Sequence, residues 1–448
     1  MRVLRVYHGG RNAGHRARER ALQANDVDVT LVVPRRWPGA GEEPTLSGER
    51  FRVVELPVIR EGDVNRHAYV DPDELRRLIG ETQADVLDVH EEPFSVAAQQ
   101  WLQVAPDQVP VVLYTAQNVD KRYPPPFALY ERRAHRRAAA LYPCSRQAAS
   151  VSRGKGFAGL LTVIPLGFDP EVFRPGQQSL DEDEIVLALV GRLVPEKGVR
   201  DAVRVMAELN TVRPARLVLM GAGPEETEAV SLAASIGVAD RLELERWSSV
   251  AEAAALYRRA HVVLVPSMPT ETWTEQFGRV IAEAQASGAV VVGYASGSIP
   301  EVIDGAGLLI APGDVEALSR AVVELVAEPG QYRRQRELGL AAAAVKTWDR
   351  VAQQQARLYR QVAAREVTRL AVVRSPSRRR RAARDEFGPP ASTTAGLRPF
   401  ALPVLRRGGA ASRLLAAVID AACELRARVN LPRPVRRSRA TGSPFAED

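Results

Sequence analysis

The feature that most constrains this chain is a pattern that runs once and then starts again. Short, continuous runs of Val, Leu and Ile, each closed by a breaker or polar turn, alternate with helical periodicity up to about residue 163 and resume at Ile185. In the first series the runs are residues 3–7, 27–33, 52–56, 86–90, 109–115 and 139–143, with helical stretches at 72–79 and 128–137. In the second they are 185–190, 215–220, 241–244, 261–265, 290–293 and 308–311, with helices at 199–210, 227–236, 250–257, 278–286 and 315–327. Strands apolar on both sides belong to parallel sheets covered by helices on both faces. The pattern predicts an α/β chain of two Rossmann-like, doubly wound domains, with ligand in the cleft at the carboxyl ends of their strands.

The segment between the series, 164–176, is rich in Pro and Gly and reads as a linker. The predicted organisation is an N-terminal Rossmann-like domain (1–163), the linker, a C-terminal Rossmann-like domain (177–345), a crossover helix (346–364) and an arginine-rich tail (365–448). The tail holds 18 arginines, no lysine and 7 acids, about +11, whereas the chain as a whole is +7. Residues 1–364 are therefore mildly acidic, about −4, which argues against a nucleic-acid-binding body. The tail's Pro, Ser, Gly and Arg content predicts disorder, interrupted by an apolar stripe at helical spacing over 411–429. Such a helix suits peripheral contact with an anionic membrane surface, and equally docking on the protein's own body. The tail has almost no interleaved aromatics of the kind that would stack nucleic-acid bases. The start carries no export signal and no stretch is long enough to span a bilayer, so the expected location is cytoplasmic, with the tail at the inner face of the membrane. Cys144 and Cys423 suggest neither a disulfide framework nor a zinc site.

Four segments of the second half carry the chemistry. In LVGRLVPEKG a buried strand ends at Gly191, and Arg192 and Lys197 place two cations where the next helix begins. That arrangement fits a diphosphate, or a plain βα turn with solvated cations. In VLMGAGPEE, Gly221 and Gly223 could leave backbone bare for a flat ring, or serve the turn alone. In PTETWTEQFGRVIAEA, Glu275 precedes a helix and Glu283 lies two turns further on, placed for sugar hydroxyls and ribose hydroxyls or for ordinary solvated pairs. GSIPEVI is a further turn into a helix.

In this order the segments resemble glycosyltransferase family 4, the large group that includes bacterial mannosyl- and glucosyltransferases and sucrose synthases. GRLVPEKG is similar to its G-R-L-x-x-x-K-G element and EQFGRVIAEAQASG to its E-x-F-G-x-x-x-x-E-A-x-A-x-G element. The resemblance implies a GT-B fold, with Arg192 and Lys197 on the donor diphosphate, Glu275 on the donor sugar, Phe277 and Gly278 in the donor-binding motif, and Glu283 on the ribose. In the first half, Gly9 and Gly10 resemble the family's glycine loop near the donor phosphate. His90, closing VLDVH, resembles its histidine facing the donor sugar. TAQNVDKRYPPPF resembles a subset of the family and places Asn118, Lys121 and Arg122 toward the acceptor.

The implied reaction is metal-independent hexosyl transfer from a UDP- or GDP-sugar, with retention, to a glycan, lipid or small molecule in envelope or exopolysaccharide synthesis. No cofactor is expected beyond that co-substrate, and His90 and Glu275 are the catalytic-region residues. The rivals are a two-domain nucleotide-sugar epimerase, a phosphorylase (which would need a pyridoxal lysine) and a non-catalytic sugar-nucleotide-binding scaffold. Donor turnover excludes the scaffold.

Overall fold

The computed structural model describes residues 1–38, 48–246 and 249–374, the side chains of 366–374 aside. The tail beyond 374, with its 411–429 stripe, lies outside the described residues.

The N-terminal lobe is built on β1 (Arg2–Val6), β2 (Asp28–Pro34), β3 (Arg52–Leu56), β6 (Val86–Val89), β7 (Val111–Thr115), β8 (Ala140–Pro143) and β9 (Leu160–Leu161), between which β4 (Val58–Ile59) and β5 (Ala68–Tyr69) form a small antiparallel pair. The large sheet runs β3-β2-β1-β6-β7-β8-β9, and its pairings are parallel. The C-terminal lobe has a six-stranded parallel sheet in the order β12-β11-β10-β13-β14-β15. Its strands are β10 (Ile185–Val190), β11 (Ala215–Met220), β12 (Leu242–Glu245), β13 (Val262–Val265), β14 (Val290–Tyr294) and β15 (Leu308–Ile310). Each sheet has an apolar core on either face, so four cores sandwich two sheets.

The strand order places the site. In each sheet the order in which the chain adds parallel strands reverses at one step, between β1 and β6 in the first lobe and between β10 and β13 in the second. Loops leaving those neighbouring carboxyl ends diverge and leave a crevice. Tyr7-His8 and His90-Glu91 therefore emerge side by side, as do Gly191-Arg192 and Pro266-Ser267.

Two helices follow β15 and a helix over Val315–Ala327: Pro329–Ala344, and a long one over Trp348–Arg374. The last runs ten residues past the predicted end at 364, because AREVTRLAVVR continues the helix-forming run without Pro or Gly. It returns to the first lobe, where Val351, Ala352, Ala356, Leu358, Tyr359 and Val362 join the core beneath β1 and β2. Among the described residues no helix is long and apolar enough to cross a membrane.

Candidate functional site

A cavity of about 520 Å³ opens between the lobes, walled on one side by the β1 and β6 loops and on the other by Thr272, Trp273, Thr274, Gln276 and Arg279. On the first-lobe side, β1 ends in a tight 3-10 turn, His8–Arg11. Gly9 lies so close to its neighbour that a Cβ there would fall 2.5 Å from the Tyr7 ring, and one on Gly10 would meet Leu31 at 3.1 Å. These two glycines fold the loop; the residues it turns toward the cavity are Tyr7, His8, Gly14 and His15.

His90 lines the cavity. Tyr114 lies against its ring at 3.9 Å between centroids, and Tyr7 meets it edge-on at 4.6 Å. Burial, aided by Arg5, Arg18 and His8, holds its pKa well below the ordinary histidine value, so the ring is neutral. The next two residues meet different surroundings. Glu91 is buried and accepts from His8 Nδ1 at 2.7 Å and from the His8 backbone N–H at 2.9 Å. Burial alone would lower His8; the Glu91 carboxylate outweighs it and raises the imidazole's pKa. Glu92 accepts from Thr115 Oγ1 at 2.7 Å and the Ala116 N–H at 2.8 Å, and burial pushes its carboxyl up to about 7 from 4.5.

Glu92 yields a test of the cavity wall. A carboxyl whose pKa is raised by folding contributes its full stability below about pH 4.5, and that contribution is lost as pH rises through about 7. The residue is partly exposed at the cavity wall, and screening by solvent bounds the loss at about 3 kcal/mol. Glu92→Gln is expected to flatten the decline in denaturation midpoint between pH 5 and 8 relative to the wild type. Parallel profiles for the two proteins would refute this account of Glu92.

On the second-lobe side, Pro195–Lys197 forms a single 3-10 turn after the β10 loop, and the helix Val199–Asn210 follows. Lys197 Nζ reaches Glu275 Oε2 at 2.5 Å and lies over the Trp273 ring at 5.2 Å. Ser267 Oγ donates to the same carboxylate oxygen at 3.1 Å. Glu275 and Lys197 thus stand directly behind the cavity wall that Trp273, Thr274 and Gln276 form. Arg192 is exposed on the adjoining loop. Asn118 lines the cavity from the first lobe and donates from Nδ2 to the Glu275 carbonyl at 2.7 Å, tying the lobes together at the site.

Glu283 sits on the helix Arg279–Ala286, which starts from Gly278. Burial raises its pKa despite the Arg279 guanidinium, whose Nη2 lies 3.0 Å from Oε1. Phe277 packs into the second lobe's core. Lys121 lines the cavity; Arg122 is exposed beside it. Gly221 and Gly223 face the β10 loop, whose backbone lies against both. The structure therefore brings His90, Asn118 and Lys121 to one cavity, with Lys197 and Glu275 behind its far wall.

Sequence reasoning passed over Tyr7, His8, Glu91, Glu92, Tyr114 and Arg279. The adjacency of His90, Glu91 and Glu92 was a readable signal; the tyrosines, set in apolar strands, gave none. Among the described residues no group of three or more His, Cys, Asp and Glu is arranged as a metal site.

Comparison with known proteins follows the two lobes. Residues 19–172 match the model described as glycosyltransferase family 4, and residues 173–341 the model described as glycosyl transferases group 1. A D-inositol 3-phosphate glycosyltransferase of Stackebrandtia nassauensis is 35% identical over 43% of this chain and 46% of its own length. An MMP alpha-(1->4)-mannosyltransferase of Mycolicibacterium hassiacum is 31% identical over 46% of this chain and 49% of its own. The matched stretch thus spans less than half the length of these curated relatives. Among solved structures, sucrose-phosphate synthase from Thermosynechococcus elongatus superposes with a TM-score of 0.63 at 20% identity, over 81% of this chain and 99% of that one. The Anabaena protein HepE, solved with UDP-glucose, gives 0.63 at 17% identity over 81% and 100%. These likenesses show the shared GT-B fold. With that fold and a family model on each lobe, the chain belongs to glycosyltransferase family 4.

Proposed function

We propose that the protein transfers a hexose from a UDP- or GDP-sugar to a hydroxyl of a glycan, lipid or small-molecule acceptor, with retention and without a metal ion. One observation carries the reading: Lys197 and Glu275, 78 residues apart, form a half-buried ion pair behind a cavity whose opposite wall is a neutral histidine. A cation beside a helix start suits the donor diphosphate, and uncharged His90 suits the sugar it carries. In the proposed step the acceptor oxygen bonds to the anomeric carbon from the leaving-group side as the bond to the diphosphate oxygen breaks. A phosphate oxygen takes the acceptor's proton and the nucleoside diphosphate leaves. Arg192 and Lys197 would neutralise the charge that develops, and closure of the lobes would align the reactants.

The UDP-glucose complex of the Anabaena structure supports trying UDP-glucose first. Relatives named for inositol 3-phosphate and for mannosyl transfer make a phosphorylated polyol and GDP-mannose the next choices. A cytoplasmic place in envelope or exopolysaccharide synthesis, with the basic tail at the inner membrane face, accords with this chemistry.

The test is a thermal-shift screen with UDP, GDP, ADP and their common sugars on wild type and on Arg192→Ala/Lys197→Ala. One nucleoside diphosphate is expected to raise the wild-type melting temperature by a few degrees at 100 times its Kd, which corresponds to about 2.7 kcal/mol of binding linkage. The double variant is expected to show no shift. A folded wild type that responds to no nucleotide would favour the scaffold reading instead.

A further inference from the structure

Asp88 lies two residues before His90 on β6, with no exposure, directly opposite Arg5 in the β1–β6 register. Its carboxylate pairs with the Arg5 guanidinium. Tyr142 Oη donates to Asp88 Oδ1 at 2.6 Å. From the last helix, Tyr359 Oη and Gln355 Nε2 donate to Oδ2 at 2.5 and 3.0 Å. A carboxylate held by a guanidinium only accepts, so Tyr142 spends its one proton on Asp88.

The consequence falls on His90. Tyr142 Oη lies 3.0 Å from His90 Nδ1, and Arg5 Nη1 donates to the same hydroxyl oxygen at 3.1 Å. With its proton committed, the hydroxyl meets Nδ1 only as an acceptor, so Nδ1 carries a proton. The ring is neutral and holds one proton, which leaves Nε2 as a bare lone pair. Tyr114 and Tyr7 fix the plane of the ring, and His90 lines the cavity.

We infer that Tyr142 and Asp88 are positioning residues that lock His90 as the Nδ1–H tautomer, presenting Nε2 to the cavity as a hydrogen-bond acceptor for a ligand hydroxyl. The assignment rests on the proposed reading of His90 as the residue facing the donor sugar, and it names the groups that make that contact chemically specific. A bare Nε2 receives a hydroxyl proton and repels a phosphate oxygen. The His90 wall therefore takes the polyol part of a ligand, and the anionic part is left to the cations of the second lobe. The same atoms would also stabilise the core, but a purely structural network is indifferent to which imidazole nitrogen holds the proton.

Nitrogen NMR of the full chain, labelled with ¹⁵N-histidine, tests this. The His90 signals are those lost in His90→Gln. The expected wild-type result is a pyridine-like Nε2 and a pyrrole-like Nδ1. Tyr142→Phe should return the ring toward the Nε2–H form that free imidazole side chains prefer. Tyr359→Phe strips a hydroxyl from the same carboxylate without touching His90, and should keep the wild-type tautomer. With a donor that is turned over, Tyr142→Phe should lower kcat roughly tenfold or more with little change in donor KM. A protonated Nε2 in the wild type, or an unchanged tautomer in Tyr142→Phe, would overturn the inference. Normal kcat in a Tyr142→Phe protein whose tautomer has changed would overturn the positioning role. If Tyr142→Phe does not fold, the wild-type spectrum still decides the tautomer. The spectrum needs no turnover: the expected signals in a protein inactive on all nucleotide sugars would sink the transferase reading and leave the tautomer lock standing.

Discussion

Lys197→Met is expected to lower kcat/KM for the nucleotide-sugar donor by about two to three orders of magnitude, the loss typical of deleting one group that meets developing charge. Methionine keeps an apolar stem against Trp273, over which the ammonium lies at 5.2 Å, so packing changes little and charge changes fully. Glu275 would keep only the Ser267 hydroxyl on Oε2. Its side chain is 10% exposed, so a modest fall in stability should accompany the kinetic loss. Glu275→Gln attacks the pair from the other side. If the two act as a unit on the donor, the double variant should be little worse than the worse single one, a coupling that simple addition misses. The measurement is kcat/KM for wild type, both single variants and the double, with melting temperatures as control. A Lys197→Met protein within a few-fold of wild type would remove the diphosphate from this site.

That prediction rests on segments whose spacing was legible. LVGRLVPEKG and ETWTEQFGRV announce strand, turn and helix by local chemistry, and the structure closes them on each other through Lys197 and Glu275. The two parallel sheets were legible for the same reason, since continuous Val and Leu runs state burial on both faces. The strand RVLRV was misleading in one respect. Arg5 looks like a solvated charge, yet it is fully buried, because Asp88 lies opposite it in the register and Glu19 reaches its Nε at 2.5 Å. Pairings between residues 83 apart leave no local trace. Gly9 and Gly10 show the converse: their presence was readable, but not the crowding at the turn, where a Cβ on Gly9 would meet the Tyr7 ring and one on Gly10 would meet Leu31. The crossover of the last helix was expected, but what it meets in the first lobe was hidden, since Gln355 and Tyr359 lie 267 and 271 residues from Asp88 in the chain.

Gly221→Ala is expected to lower the melting temperature by roughly 6–12 °C, corresponding to about 3 kcal/mol in a domain of this size. Two loops are laced together here. Gly191 N–H donates to the Met220 carbonyl, Leu193 N–H to the Ala222 carbonyl and Glu225 N–H to the Leu193 carbonyl, each at 2.9 Å. A Cβ on Gly221 would stand 1.8 Å from the Gly191 oxygen, and one on Gly223 would stand 2.2 Å from the Leu193 oxygen. Those atoms are backbone, so relief requires the ends of β10 and β11 to part over the core that they cover. Gly221 also has φ +155, a conformation that alanine adopts only with strain. Gly237→Ala separates the two causes, for it has φ +76 and open space around its would-be Cβ, and should cost only about 1 kcal/mol. Parting the β10 and β11 loops would also displace Arg192 and Lys197, so Gly221→Ala should lose nucleotide binding at temperatures where it remains folded, and Gly237→Ala should retain it. Equal costs at the two positions would show that crowding between the loops is not what demands glycine at 221, and would return that residue to the simpler role of a turn.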